Sequence, residues 1–202
     1  MTADMWVFEN AARHEGFSTI AGIDEAGRGP LAGPVVSAAV ILPAALQIAG
    51  VDDSKRLTPK KRAALFGEIY RRAISVGVGV VGPGRIDEIN ILQASLKSMA
   101  MAVACLNPRP DCLLIDGIFK IESDISQTPI PKGDARSVSI AAASIIAKVT
   151  RDNMMVQYHR QYPQYGFAQH KGYPTKAHKI AIREHGCTPI HRRSFRGVRE
   201  YI

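Results

Sequence analysis

Apolar positions along this chain recur at two periods, and the change from one to the other outlines alternating strands and helices. Residues 19–24 read as a first strand, stopped by Glu25-Ala26-Gly27-Arg28-Gly29-Pro30, and residues 35–42 read as a second. Residues 74–80 alternate apolar with small side chains, as a half-buried strand does. Thr58-Pro59 supplies an N-cap and a first helical position for a helix reaching about Arg72. Ile89, Leu92, Leu96, Met99 and Val103 follow steps of three and four, which predicts an amphipathic helix over residues 86–106 with those side chains as its buried stripe. Residues 112–115 are continuously apolar, the mark of a central strand covered on both faces, and they run into Asp116-Gly117. Residues 137–150, rich in Ala, Ser and Ile, predict a closely packed helix. Beyond it Pro163, Pro174 and Pro189 divide the chain into short helices and loops. The pattern describes an α/β layered domain with a C-terminal extension.

Composition narrows the class. The 202 residues, 46% hydrophobic, fit one domain with a sizeable core. Residues 29–51 carry no charge and are long enough to span a bilayer, but Pro30, Pro34 and Pro43 interrupt them and Gln47 lies in their last third. A buried turn, strand and loop is expected there. Residues 1–16 hold Asp4, Glu9, Arg13 and Glu15 without an apolar run, unlike a secretion signal. Cys105, Cys112 and Cys187 are too few and too odd for a disulfide framework. A cytoplasmic protein away from membranes is expected. The net charge of +8 is lopsided: residues 171–199 contain eight Lys/Arg against Glu184, so they supply +7 and leave +1 for the rest. That excess suits a polyanion, although a merely solvated basic surface would look the same.

Four acids occupy positions where chemistry is expected. Asp24-Glu25 ends the first strand, Asp116 ends the continuous apolar strand, and Asp134 precedes the Ser/Ala helix. Ligands of open α/β sheets gather at the carboxyl ends of strands, and oxygen-only ligands favour a hard ion such as Mg²⁺ or Mn²⁺. Each acid also has a plainer reading: Asp134 as a helix cap, Asp116-Gly117 as turn chemistry. Asp24-Glu25 is less easily dismissed, because adjacent acids repel unless a cation lies between them. Consecutive strand residues face opposite ways, so both reach one ion only if the strand bends at Glu25, which Gly27 and Gly29 would allow. His185, Cys187 and His191 match no common zinc spacing, and Gly27-Arg28-Gly29 is too short for a dinucleotide fingerprint.

Several blocks of this sequence resemble the bacterial ribonuclease HII family. They are residues 23–35 (Ile-Asp-Glu-Ala-Gly-Arg-Gly-Pro-Leu-Ala-Gly-Pro-Val), Asp53-Ser54-Lys55, Asn90-Ile91-Leu92-Gln93-Ala94, Leu114-Ile115-Asp116-Gly117, Lys132-Gly133-Asp134, residues 139–152 and His170-Lys171-Gly172-Tyr173-Pro174-Thr175. The resemblance implies a ribonuclease H-like α/β fold, a mixed five-stranded sheet flanked by helices with a C-terminal helical extension. It implies one domain over residues 1–202, with a core at about 17–152 and a basic helical region at 153–202. It implies an endonuclease that cuts the RNA strand of RNA–DNA hybrids on the 5′ side of ribonucleotides embedded in duplex DNA, by a two-metal-ion mechanism serving DNA repair and replication. Asp24, Glu25, Asp116 and Asp134 are then the catalytic metal-binding acids, with Mn²⁺ or Mg²⁺ as the divalent cation. Gly27, Arg28, Gly29 and Tyr173 would read the junction between a ribonucleotide and the next deoxyribonucleotide, and Lys55, with Lys148, would contact phosphate. The expected partners are RNA–DNA hybrid and ribonucleotide-containing duplex DNA, bound by a monomer. A branched-DNA resolvase and a catalytically silent RNA-binding module are the alternatives. The glycine loop and Tyr173 weigh against the first, and retention of four acids facing phosphates weighs against the second.

Overall fold

The computed structural model describes residues 4–44, 46 and 57–202. Five strands make one mixed sheet: β1 (Ile20–Ala26), β2 (Val35–Ile41), β3 (Ser75–Val81), β4 (Cys112–Asp116) and β5 (Ser126–Ile130), in the order β3-β2-β1-β4-β5. β1, β2 and β3 pair antiparallel, whereas β4 is parallel to both β1 and β5. The helices are α1 (Val7–His14), α2 (Pro59–Arg72), α3 (Pro83–Ala104), α4 (Val138–Gln161), α5 (Phe167–His170) and α6 (Lys176–His185). The expected mixed sheet, flanking helices and C-terminal helical extension are all present. Two elements are not among those expected from the sequence. β5 is an edge strand whose residues are alternately exposed, and it tolerates Pro129 for the same reason. α1 spans only eight residues, of which Glu9 and Ala12 are buried.

α4 lies on one face of the sheet and α3 on the other, and glycines set both distances. A Cβ on Gly22 of β1 would sit 2.1 Å from the Ser139 carbonyl carbon, so α4 rests directly on backbone. Val138 to Ala147 are buried without a break, which explains their small, apolar composition. α4 continues to Gln161, well past the predicted end; beyond Ala147 only Arg151 and Met155 remain buried, so the apolar signal fades before the helix does. Its N-terminus is capped twice. The Ser137 hydroxyl accepts from the Ile140 N–H at 3.3 Å, and Glu9 of α1 accepts from the Ser139 N–H at 3.0 Å.

α3 corrects the predicted helix in two ways. It breaks at Asn90 (φ 67, ψ 167), whose Oδ1 accepts from the N–H groups of Leu92 and Gln93 and so caps the second half. Its buried residues are Ile86 before the break and Ala94, Ser95, Ser98, Met99, Ala102 and Val103 after it, while Ile89, Leu92 and Leu96 are only half-buried. The cause is β3: a Cβ on Gly77 or Gly79 would lie 2.0 Å from the carbonyl oxygen of Ala102 or Ser98. Small residues must stand over Gly77 and Gly79 at that separation, so Ile89, Leu92 and Leu96 lie to the flank while Met99 and Val103 stay buried as predicted. Residues 31–42 are buried throughout, as a turn and strand should be, and no helix of the described residues is long and apolar enough to cross a membrane.

This packing makes a contrast of two glycines informative. Gly79→Ala should destabilise the fold by roughly 1–3 kcal/mol or more, because backbone cannot move aside as a side chain can. Gly84→Ala, in the first turn of α3 with nothing within 4 Å of the added methyl, should instead stabilise by up to about 1 kcal/mol. Denaturant melts of both variants measure the difference.

Candidate active site

The parallel β1–β4 ladder runs from Ile20↔Cys112 to Ile23↔Ile115 and stops. The next residue on each strand is an acid, Asp24 and Asp116, and Glu25 follows. One carboxylate oxygen from each of Asp24, Glu25 and Asp116 lies within 4.8 Å of the other two. The expected bend at Glu25 is absent: β1 stays paired with β2 through Glu25↔Ser37 and Ala26↔Val36, and the chain turns only at Gly27, φ +104. The acids meet because the ladder ends beneath them and opens the β4 side of β1, which lets the longer Glu25 side chain join the two aspartates.

Asp24 is 3% exposed; its Oδ1 accepts the Glu25 N–H at 2.7 Å, and Ser144 of α4 adds a side-chain hydrogen bond. Burial, then the charges of Glu25 and Asp116, hold the Asp24 carboxyl well above its ordinary pKa. Burial also raises Glu25, opposed by the Arg28 guanidinium 3.2 Å away and reinforced by Asp116. Burial and mutual repulsion thus raise two of these carboxyls, and an all-oxygen set of this kind fits a hard divalent cation. Asp134 lies outside this group. It is buried in a 3-10 turn (Gly133–Ala135), and the Gly133 N–H donates to Asp116 Oδ1 at 2.7 Å, fastening that turn to the cluster. The α4 cap is Ser137, so Asp134 is not the helix cap.

The three acids line a cavity of about 230 Å³ together with Gly27, Arg28, Gly29 and Tyr173, and with Ser144, Lys148 and Arg151 of α4. Gly27 has no alternative here, since its φ is positive and a Cβ would fall 2.1 Å from Arg151 Nε. Gly29 is different: the nearest atom to a Cβ there is a Tyr173 ring carbon at 3.8 Å, so the loop and that ring border the same space. Tyr173 is 43% exposed rather than packed away. Lys148 lines the cavity while bonded to Asp152 at 2.7 Å. Lys55 lies outside the described residues.

Sequence reasoning missed what holds this loop. Arg151 donates to the carbonyls of Pro34, Lys171 and Ala32 at 2.9, 3.0 and 3.1 Å. Arg192 donates to those of Gly33, Arg28 and Gly27 at 2.9, 2.9 and 2.6 Å. Arg192 is fully buried and therefore drops out of the basic surface counted from composition. On that surface Lys176, Lys179 and Arg183 share a shallow hollow beside Tyr201. His185, Cys187 and His191 build no metal site: among the described residues the only cluster close enough is the three acids.

A family model described as "Ribonuclease HII" matches residues 21–198. A ribonuclease HII of Geobacter metallireducens is 58% identical over 198 residues, covering 98% of this chain and 93% of its own. The crystal structure of ribonuclease H2 from Pyrococcus horikoshii superposes with a TM-score of 0.76 at 29% identity, covering 91% of this chain and 97% of that one. The structure of Bst-RNase HIII in complex with Mn²⁺ has a TM-score of 0.69 at 22% identity, over 95% of this chain and 71% of that one, a likeness of fold.

Removing one charge from the acid cluster should separate stability from activity. Asp24→Asn is expected to melt above the parent protein in EDTA, because it relieves repulsion from Glu25 and Asp116, and to have lost hydrolysis. Divalent cation should raise the melting temperature of the parent and raise that of the variant less. Calorimetry with and without Mn²⁺ checks the melting temperatures, and cleavage of an RNA–DNA hybrid checks the loss of hydrolysis.

Proposed function

Since the chain belongs to the ribonuclease HII family, and is thereby a ribonuclease H acting on RNA–DNA hybrids, we propose that it cuts on the 5′ side of ribonucleotides embedded in duplex DNA. The products are 3′-hydroxyl and 5′-phosphate ends, and the role is removal of ribonucleotides in DNA repair and replication. The observation that supports this reading is that one cavity is lined both by the carboxylates and by the Gly27-Arg28-Gly29 loop and Tyr173. We read residues of about 17–152 as the core and 153–202 as the basic region of one domain, with α4 crossing the boundary, acting as a monomer in the cytoplasm.

Asp24, Glu25, Asp116 and Asp134 are the proposed ligands of Mn²⁺ or Mg²⁺. A bound pair of such ions would activate the attacking water and neutralise charge developing on the leaving 3′ oxygen. The residues of the chain do the rest. Ser144 and the Gly133 N–H orient the carboxylates of Asp24 and Asp116. The glycine loop, having no side chain at Gly27 or Gly29, brings backbone close to the sugar, where the 2′-hydroxyl distinguishes RNA from DNA. Tyr173 offers an exposed ring for the following deoxyribose and a hydroxyl for the junction. Lys148, and Lys55 earlier in the chain, supply charge toward phosphate.

The cut site tests the activity. A duplex with one ribonucleotide, incubated with Mg²⁺ or Mn²⁺, should yield a fragment beginning with that ribonucleotide and bearing a 5′-phosphate. Cleavage of continuous hybrid with none at the single ribonucleotide would overturn the junction reading.

Salt dependence tests the basic surface. Replacing Lys176, Lys179 and Arg183 together with Ala should flatten the plot of log affinity against log salt by up to about 3 units. An unchanged slope would remove this face from the binding surface.

A further inference from the structure

Between the C-terminal elements and Tyr173 runs a buried chain of hydrogen bonds whose direction is fixed. The Thr188 backbone N–H lies 2.9 Å from His191 Nδ1, and the Thr188 hydroxyl lies 2.8 Å from the same atom. A backbone N–H can only donate, so His191 Nδ1 carries no proton. The proton of a neutral ring then sits on Nε2, which is 3.1 Å from His178 Nε2. His178 must accept there, which leaves its own proton on Nδ1, 2.9 Å from the Tyr173 carbonyl. A carbonyl can only accept, so every link is satisfied in one direction alone. The two rings are 0% and 2% exposed, and burial pushes both down to about 4, which keeps them neutral at physiological pH.

The same backbone is held from other sides. His170 stacks on His178 with ring centroids 4.5 Å apart, and its Nδ1 accepts from the Gly172 N–H at 3.1 Å. The Gly172 carbonyl accepts from the Leu31 N–H at 2.8 Å, which ties it to the loop that follows Gly29. An exposed aromatic ring thus stands on a peptide with almost no freedom. That combination belongs to a side chain whose position matters to something outside the protein.

We infer that His178 and His191 are positioning residues for Tyr173, so that preference for a single embedded ribonucleotide over continuous hybrid depends on His191 acting through His178. The inference rests on the proposed role of Tyr173 at the junction. Thr188 sets the tautomer of His191, His191 sets that of His178, and His178 holds the Tyr173 carbonyl.

Two measurements test it. In the parent protein at neutral pH, imidazole nitrogen NMR should show the proton on Nδ1 of His178 and on Nε2 of His191; the opposite tautomer on either ring breaks the chain and overturns the proposal. The second compares cleavage of a single-ribonucleotide duplex with cleavage of continuous hybrid for His191→Leu, His191→Gln, Tyr173→Ala and the His191→Leu/Tyr173→Ala double variant. His191→Leu should lower the ratio of the two rates roughly 2- to 10-fold, the scale of one lost hydrogen bond. His191→Gln, which keeps a donor toward His178, should restore most of it. With Tyr173→Ala already present, His191→Leu should change the ratio no further. An equal loss on both substrates, or an undiminished effect in the double variant, would make the histidines packing residues only. A ratio unmoved by Tyr173→Ala would instead remove the junction role itself, and the relay with it. Should His191→Leu fail to fold, the nitrogen spectrum and the Gln variant carry the decision.

Discussion

Two buried guanidinium groups, Arg151 and Arg192, fix the loop between Gly27 and Pro34, and the geometry of the cavity depends on them. Burying a cation is unfavourable unless its N–H groups find acceptors. Here the acceptors are backbone carbonyls: three for Arg151 from α4 and three for Arg192 from the C-terminal region. Desolvation draws the pKa of Arg151 to about 10 and that of Arg192 to about 9, so both stay charged at neutral pH. A buried charge with several carbonyls directed at it admits one arrangement of those carbonyls. Loss of either side chain would leave buried acceptors unsatisfied, at about 1–3 kcal/mol each. The loop has one conformation because any other would strand a charge.

The acids depend on a different constraint, the place where pairing stops. β1 keeps its antiparallel partner β2 to Ala26 but loses its parallel partner β4 after Ile23. Asp24 and Glu25 therefore stand on a strand that is rigid along one edge and open along the other. Gly22, two residues earlier, lets α4 approach closely enough for Ser144 to reach Asp24. One glycine in β1 thus links helix packing to carboxylate orientation. Acids placed against one another in this way are repulsive by construction, the arrangement expected where a site holds charge for an absent partner.

Much of this was legible in the sequence, within limits that have physical causes. Four strands were visible because their apolar residues recur with the periods that burial requires. β5 was not, since an exposed edge makes no such demand, and the stripe assigned to α3 held for Met99 and Val103 but not for Ile89, Leu92 and Leu96, where Gly77 and Gly79 draw small residues against the sheet. The four acids were legible as strand-end and loop positions, but the convergence of three of them follows from where the β1–β4 ladder ends. Family resemblance, rather than pattern, pointed to Tyr173 and to a fifth strand. Arg192 and Arg193 mark the limit most clearly. They are identical and adjacent, yet one is fully buried and holds the loop while the other is exposed. No local signal separates them, because the difference lies in carbonyls 159 to 165 positions away.

That separation has a consequence in time. Arg28 emerges from the ribosome 164 residues before the arginine that grips its carbonyl. At ordinary elongation rates of about 5–20 residues per second, the interval is roughly 8–30 s. Over the last 58 of those residues, about 3–12 s, the sheet and its acids can already be present, while the loop beside them still lacks the restraint that Arg192 supplies. A nascent chain is therefore held in an unfinished state by the order of its own synthesis, and the cavity closes into shape only when the strap carrying His191 and Arg192 is laid across it.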